Sequence, residues 1–394
     1  MMDIINHLST APQDILDLRA RRADAQENAQ ASFSALLEPE NPGTFTYTER
    51  YAVAAFIAGI TQDTRAYEFY AELLSDDSSL NLQPAITRGR IAGPYHDGEF
   101  VTFSVLDYGE RLAAAFDFAH LLIFHPKDAT PGAIGHLQEA GWSDDDIVSL
   151  AQLISFLAFQ LRVIHGLNVL GGAEIATPEA CEAKESNPNW QPGPRTELPD
   201  VVAPQGFVAH PLGWRPWVPA VPKDEMTEAQ KDSLIKPERI DMPYFRLLAR
   251  DPAALLARTR TDLDIFYNTD GGLGRAEREL SATVTSRYNG CEYCASVHQA
   301  RAKEEGGDAE AIDKLLADGP TADLGTTSWN ALRDAALDLT ATPVRFDKSN
   351  VEGLRNVGLN ELAIIDVINS ASFFNWANRL MLTLGAPDVP RRFR

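Results

Sequence analysis

"HPKDATPGAIGHLQEAGW" (125–142) and "TPVRFDKSNVEGLRNVGL" (342–359) align without a gap, Pro126 on Pro343, Leu137 on Leu354 and Gly141 on Gly358. The segments downstream of them keep the same register. "SDDDIVSLAQLISFLAFQLRVIHGLNVLG" (143–171) faces "NELAIIDVINSASFFNWANRLMLTLG" (360–385), with Ile147 on Ile364, Phe156 on Phe373 and Arg162 on Arg379. Ser143 and Asn360 are N-cap residues, acidic side chains fill the first turns, and each stretch ends at glycine. These are two copies of one long helix, apolar around most of its circumference, which must be covered on several sides. Pairing of the copies and then oligomerisation would cover them.

Upstream, "TERYAVAAFIAGITQDTRAYEFYAELL" (48–74) resembles "AERELSATVTSRYNGCEYCASVHQARA" (276–302), Glu49-Arg50 on Glu277-Arg278. The chain therefore reads as an all-α duplication: one helical domain over 20–171, a Pro-rich linker over 172–235, and a second helical domain over 236–390. Its 394 residues suit two cores better than one. The linker spends Trp190, Phe207, Trp214 and Trp217 among prolines and glycines. Regular structure is not expected there, and its aromatics should dock on a domain surface. "GEFVTFSVLDYG" (98–109) alternates too briefly to build a sheet on. Gly271-Gly272-Leu273-Gly274 follows no strand, so it reads as a loop and not as a nucleotide motif.

The formal net charge is −21, which argues against nucleic-acid and anionic-membrane partners. No secretory signal is expected at the N-terminus, and no run of about 18 uninterrupted apolar residues occurs. Three cysteines make no disulfide framework, and a reducing cytoplasm is the expected setting. Cys181, in the linker, reads as incidental.

The other two cysteines stand in "GCEYCASVH" (290–298). Asn289-Gly290 breaks the helix that begins at "RAEREL" (275–280), and a second helix should start near Cys291. Cys291, Cys294 and His298 then share one face. The helix N-terminus favours a thiolate at Cys291, and His298 can take or hold the proton of its neighbour Cys294. Paired thiols at this spacing can close a disulfide. Glu279, on the preceding helix, can face the thiols, and a partly buried carboxylate with a raised pKa could relay a proton. A zinc site is the competing reading, with Cys291, Cys294, His298 and Glu279 as ligands, but structural zinc usually draws on a second pair of cysteines. A motif kept only for packing is the third. Asn375, Asn378 and Arg379 share a face of the last long helix and read as inter-helix hydrogen-bonding groups.

Glu279, eleven residues, Cys291-Glu-Tyr-Cys294, three residues, His298: this pattern resembles the carboxymuconolactone decarboxylase superfamily, in its alkylhydroperoxidase D-like branch. The likeness covers nearly all of 236–390. It implies an all-α fold, two such domains in tandem here, and assembly into homo-oligomers, a dimer or trimer for a duplicated chain. It implies thiol-dependent reduction of hydroperoxides without flavin, haem or other cofactor, and an external dithiol as reductant. By position, Cys294 would attack the peroxide, Cys291 would resolve, and His298 with Glu279 would relay protons. Tyr293 stands where the best-known members carry histidine. In the first copy Glu279, Cys291, Cys294 and His298 fall on Tyr51, Asp63, Ala66 and Tyr70, so that half lacks thiols and reads as a scaffold. The alternatives within the same fold are a non-redox scaffold, a zinc protein and a lactone-processing decarboxylase.

Overall fold

A computed structural model describes residues 3–90, 101–175, 198 and 200–394 of the chain. Cys181 and Trp190 lie outside these residues. Two short helices, α1 (Ile4–Leu8) and α2 (Gln13–Arg19), lead into a run of seven: α3 (Ala23–Leu37), α4 (Tyr47–Ile60), α5 (Thr64–Asp77), α6 (Gln83–Gly89), α7 (Val105–Phe124), α8 (Pro131–Glu139) and α9 (Asp144–Leu170). Two more short helices come next, α10 (Glu228–Ser233) and α11 (Pro243–Leu248). A second run of seven then repeats the order: α12 (Pro252–Tyr267), α13 (Arg275–Asn289), α14 (Glu292–Glu304), α15 (Ala309–Asp318), α16 (Thr327–Thr340), α17 (Lys348–Asn356) and α18 (Glu361–Thr383). The fold is all-α, as the sequence predicts.

Local chemistry sets the helix limits. Ser143 caps α9 by accepting from the Asp146 N–H, and Asn360 caps α18 by accepting from the Ala363 N–H. Between α13 and α14 the chain turns at Gly290, whose φ of 78° is the left-handed conformation that favours glycine.

The duplicated helices pair with their own counterparts, α9 on α18 and α3 on α12. The contacts are reciprocal, as in a two-fold interface. Phe156 packs on Trp376 with ring centroids 5.2 Å apart, and Phe159 packs on Phe373 at 6.2 Å. Arg162 donates to the Thr340 carbonyl across the interface at 3.0 Å, and its counterpart Arg379 donates to the Ile123 carbonyl at 3.1 Å. One continuous apolar core runs through both halves. Among the described helices, α9 alone is long and apolar enough to cross a membrane, and 94% of its most apolar window is buried inside the protein. Pairing of the two copies thus buries most of the apolar circumference of these helices.

A second arginine pair repeats inside each half. Arg50 donates to the carbonyls of Phe45 and Leu36, and Arg278 to those of Leu273 and Ile265. Each clamps the loop before its own helix. Arg278 also meets Asp366, which Arg22 of the first half grips through both carboxylate oxygens at 2.8 Å.

The linker departs from the sequence expectation. Gly213–Pro216 (β1) pairs antiparallel with Gly385–Asp388 (β2) in a two-stranded ribbon. Prolines in both strands hid it, because each removes a backbone donor and spoils any alternating pattern. The aromatics do dock. The Trp214 indole donates to the Met381 carbonyl at 2.9 Å, and the Phe207 ring lies 4.0 Å from the Arg287 guanidinium. Residues 101–109 form no strand; the last five of them open α7.

Candidate functional site

Helices α13 and α14 form a tight antiparallel pair, and the four residues singled out in the sequence lie in it. Cys291 is the N-cap of α14, Cys294 and His298 are on that helix, and Glu279 projects from α13. Glu279 is fully buried; Cys291, Cys294 and His298 are 2%, 5% and 8% exposed. Both cysteines are free thiols.

The structure joins Glu279 to His298. The carboxylate Oε2 takes a hydrogen bond from His298 Nδ1, and its Oε1 accepts from Arg275. With Nδ1 committed, Nε2 is the ring nitrogen left to exchange protons. The imidazole is held edge to face against Phe374, centroids 4.2 Å apart, and Phe266 lies 6.0 Å away.

Two sequence expectations about charge are corrected. Burial would raise the Glu279 carboxyl, but the charges and hydrogen bonds of His298 and Arg275 hold it below the usual carboxylate range. It is therefore an ionised orienter of His298 and not a raised-pKa relay. Burial pushes the Cys291 thiol well up, and the neighbouring Cys294 thiol pushes it further. The helix N-terminus does not lower the Cys291 thiol, because desolvation outweighs the partial charge of the terminus.

Two nearby groups, Arg275 and Tyr244, escaped the sequence reading. Arg275 carried a signal, its i, i+4 spacing to Glu279. Its guanidinium also lies 3.9 Å from the Tyr267 ring. Tyr244 carried none, because α11 reaches the site only through tertiary packing; burial raises its hydroxyl pKa, and both thiols act on it electrostatically. Trp214 packs edge-on against Tyr244 at 5.4 Å, so the linker backs the site. Tyr293 is pushed up to about 12 by burial and then by the thiols, and it stays a neutral hydroxyl.

Asn375, Asn378 and Arg379 do bridge helices. Asn289 donates to the side-chain oxygens of Asn378 and Asn375, Asn378 donates to Ser286, and Arg379 donates to Asn375. The zinc reading required Glu279 to turn toward the thiols, but its oxygens are taken by His298 and Arg275. Among the described residues no three His, Cys, Asp or Glu side chains are placed to hold a metal ion.

In the first half, Asp63 holds the N-cap position of α5 that Cys291 holds on α14, and its carboxylate accepts from the Ala66 N–H at 2.9 Å. Tyr70, at the His298 position, is buried and donates to Gln160 at 2.5 Å.

Comparison with known proteins bears on the second half. No curated protein matches the chain. An uncharacterized peroxidase-related protein from Silicibacter sp. TM1040, solved by crystallography, is 26% identical over 42% of this chain and 86% of its own, with a TM-score of 0.35. Residues 252–338 match the Carboxymuconolactone decarboxylase family. That span contains Glu279, Cys291, Cys294 and His298, so the match to the carboxymuconolactone decarboxylase family falls on the helices that bear the dithiol.

Proposed function

We propose that the second half is a thiol peroxidase of the alkylhydroperoxidase D-like kind, acting on hydroperoxides or on disulfides of similar reach. The observation that carries this reading is the buried Glu279–His298 pair on the same two helices as the buried thiols of Cys291 and Cys294. In the cycle, His298 Nε2 takes the proton of Cys294, and ionised Glu279 stabilises the imidazolium. The Cys294 thiolate attacks the terminal oxygen of R–O–OH and the O–O bond breaks. The alkoxide leaves as ROH with the proton from His298, and Cys294 becomes a sulfenic acid. The Cys291 thiol then displaces the hydroxyl, which departs as water with the Cys291 proton, and a disulfide forms. An external dithiol restores both thiols by exchange and is itself oxidised. The two electrons pass through sulfur alone. The raised pKa of Cys291 suits a resolving thiol that stays protonated until the sulfenic acid exists.

The first half serves as a scaffold in this proposal, supplying α9 to the shared core. The cycle requires a reducing compartment such as the cytoplasm, and a homo-oligomer, dimer or trimer, is the proposed assembly.

The test is thiol alkylation against pH on the native reduced protein, repeated after one equivalent of organic hydroperoxide. The expected result is that Cys294 labels first, that Cys291 labels only at alkaline pH, and that hydroperoxide blocks both. Cys294→Ser should leave Cys291 unprotected by peroxide. Thiols that stay inert until denaturation, or that peroxide does not touch, would overturn the reading.

A further inference from the structure

One face of α12 carries Arg258, Asp262 and Phe266 on successive turns. Phe266 packs against His298, so this face runs from the proposed proton relay outward. Arg258 is 5% exposed. Its Nε has no hydrogen-bond partner, and among the described residues no carboxylate lies within ion-pair distance of it. Every other buried arginine among the described residues donates to a carboxylate or a carbonyl, as Arg22 does to Asp366 and Arg162 to Leu339. The Arg258 guanidinium instead sits among rings, 5.0 Å from the centroid of Phe373 and 5.9 Å from those of Trp376 and Tyr244.

Aromatic faces attract a cation, but they do not replace the hydrogen bonds it gives up on leaving water. A guanidinium whose Nε is buried without an oxygen partner is a costly feature, and it is resolved when an anion arrives. The neighbourhood is that of the thiols. Tyr244, whose ring Arg258 faces, is acted on electrostatically by Arg258, Cys294 and Cys291. Asp262 lies within electrostatic reach of Arg258, His298 and Arg301. Glu279, the other carboxylate nearby, is already neutralised by His298 and Arg275. Arg239 also lies within electrostatic reach of Asp262 and Arg258, so three guanidinium groups, those of Arg239, Arg258 and Arg301, share one free carboxylate in a chain of net charge −21.

We infer that Arg258 anchors a carboxylate on the oxidised substrate while its peroxide end meets Cys294. This rests on the peroxidase reading above and adds the substrate class: an apolar body flanked by the rings of Tyr244, Phe373 and Trp376, ending in a single negative charge. A dianionic phosphate fits less well, because Asp262 stands one helical turn from the anchor and repels the second charge.

The test uses the full-length reduced protein and two pairs of probes. Calorimetry compares 4-isopropylbenzoate with its neutral amide. The acid should bind wild type about tenfold or more tightly than the amide, and Arg258→Gln should erase that margin, with partial recovery in Arg258→Lys. Stopped-flow then compares cumene hydroperoxide with its para-carboxylate, read as disulfide closure. The carboxylate should react about tenfold faster in wild type, and the ratio should fall to about one in Arg258→Gln. Equal binding of acid and amide to wild type would overturn the anchor, whether or not the variants fold. So would an acid margin unchanged by Arg258→Gln. If the acid binds through Arg258 yet neither hydroperoxide closes the disulfide, the anchor stands and the peroxidase reading falls. If both close it at equal rates, the reading stands and the anchor falls.

Discussion

The two halves share a frame and differ in chemistry. Arg50 and Arg278 make the same loop clamp, and Arg162 and Arg379 make the same reach across the interface. Asp63 and Cys291 stand at the N-cap position of matching helices. Yet the first half presents Tyr51, Asp63, Ala66 and Tyr70 where the second presents Glu279, Cys291, Cys294 and His298. In the second half a buried carboxylate is kept ionised by a histidine and an arginine. In the first, the burial that surrounds Tyr70 raises its hydroxyl pKa, and its one proton is spent on Gln160. The frame is thus independent of the proton chemistry, and a helix pair can lose its reactive groups without losing its packing.

The sharpest way to break this comparison is to remove the base. His298→Ala should slow hydroperoxide-driven disulfide closure by on the order of a hundredfold to ten-thousandfold, the usual worth of a positioned proton acceptor. Tyr70→Phe, at the matching position, should leave the rate within about twofold and cost only stability, about 1 kcal/mol for its hydrogen bond. Stopped-flow closure rates on the two variants check both halves of the statement. A comparable slowing in Tyr70→Phe would mean that the first half takes part in the chemistry.

The frame was legible because it is written locally and twice. The caps at Ser143 and Asn360, the break at Gly290 and the register of Arg162 with Arg379 all arise from short-range patterns. That Cys291, Cys294 and His298 share a face was legible for the same reason, since i, i+3 and i, i+4 spacing fixes a helix face, whereas Glu279, on the preceding helix, was singled out by the family resemblance. The features that escaped depend on distant partners. Nothing local in "GWRP" (213–216) announces that it pairs with "GAPD" (385–388). Nor does the sequence reveal that Arg275 and His298 hold the Glu279 proton off, or that burial lifts Cys291, because a pKa is a property of the surroundings. The linker's tryptophans signalled docking, and only the fold could say that Trp214 would back Tyr244 beside the thiols.

The paired arginine clamps offer a test of the frame itself. Arg278→Met leaves Asp366 buried with one guanidinium instead of two, and should cost about 3 kcal/mol. Arg50→Met frees only backbone carbonyls and should cost less, about 1–2 kcal/mol. Thermal denaturation of the two variants, side by side, measures the difference. Because one core runs through both halves, each variant should still melt in a single transition. Two separate transitions would show that the halves are independent folding units.

A further difference between the halves is a pH dependence that arises at the Glu279 position of the second half. The Glu279 carboxyl is depressed in the folded protein, so its contribution is fully present above the ordinary carboxylate pKa and is lost as pH falls through the lower, native value. The first half has Tyr51 at that position and contributes nothing of the kind. Stability of wild type minus that of Glu279→Gln should therefore be steady near neutral pH and shrink on acidification. The neutral-pH margin should be about 1.5–3 kcal/mol, the worth of a charged hydrogen bond, because glutamine keeps the shape and gives up the charge. Urea denaturation of both proteins between pH 7 and pH 3 gives the curve. A margin that instead grows as pH falls would require a raised carboxyl, and would return Glu279 from orienting His298 to relaying protons itself.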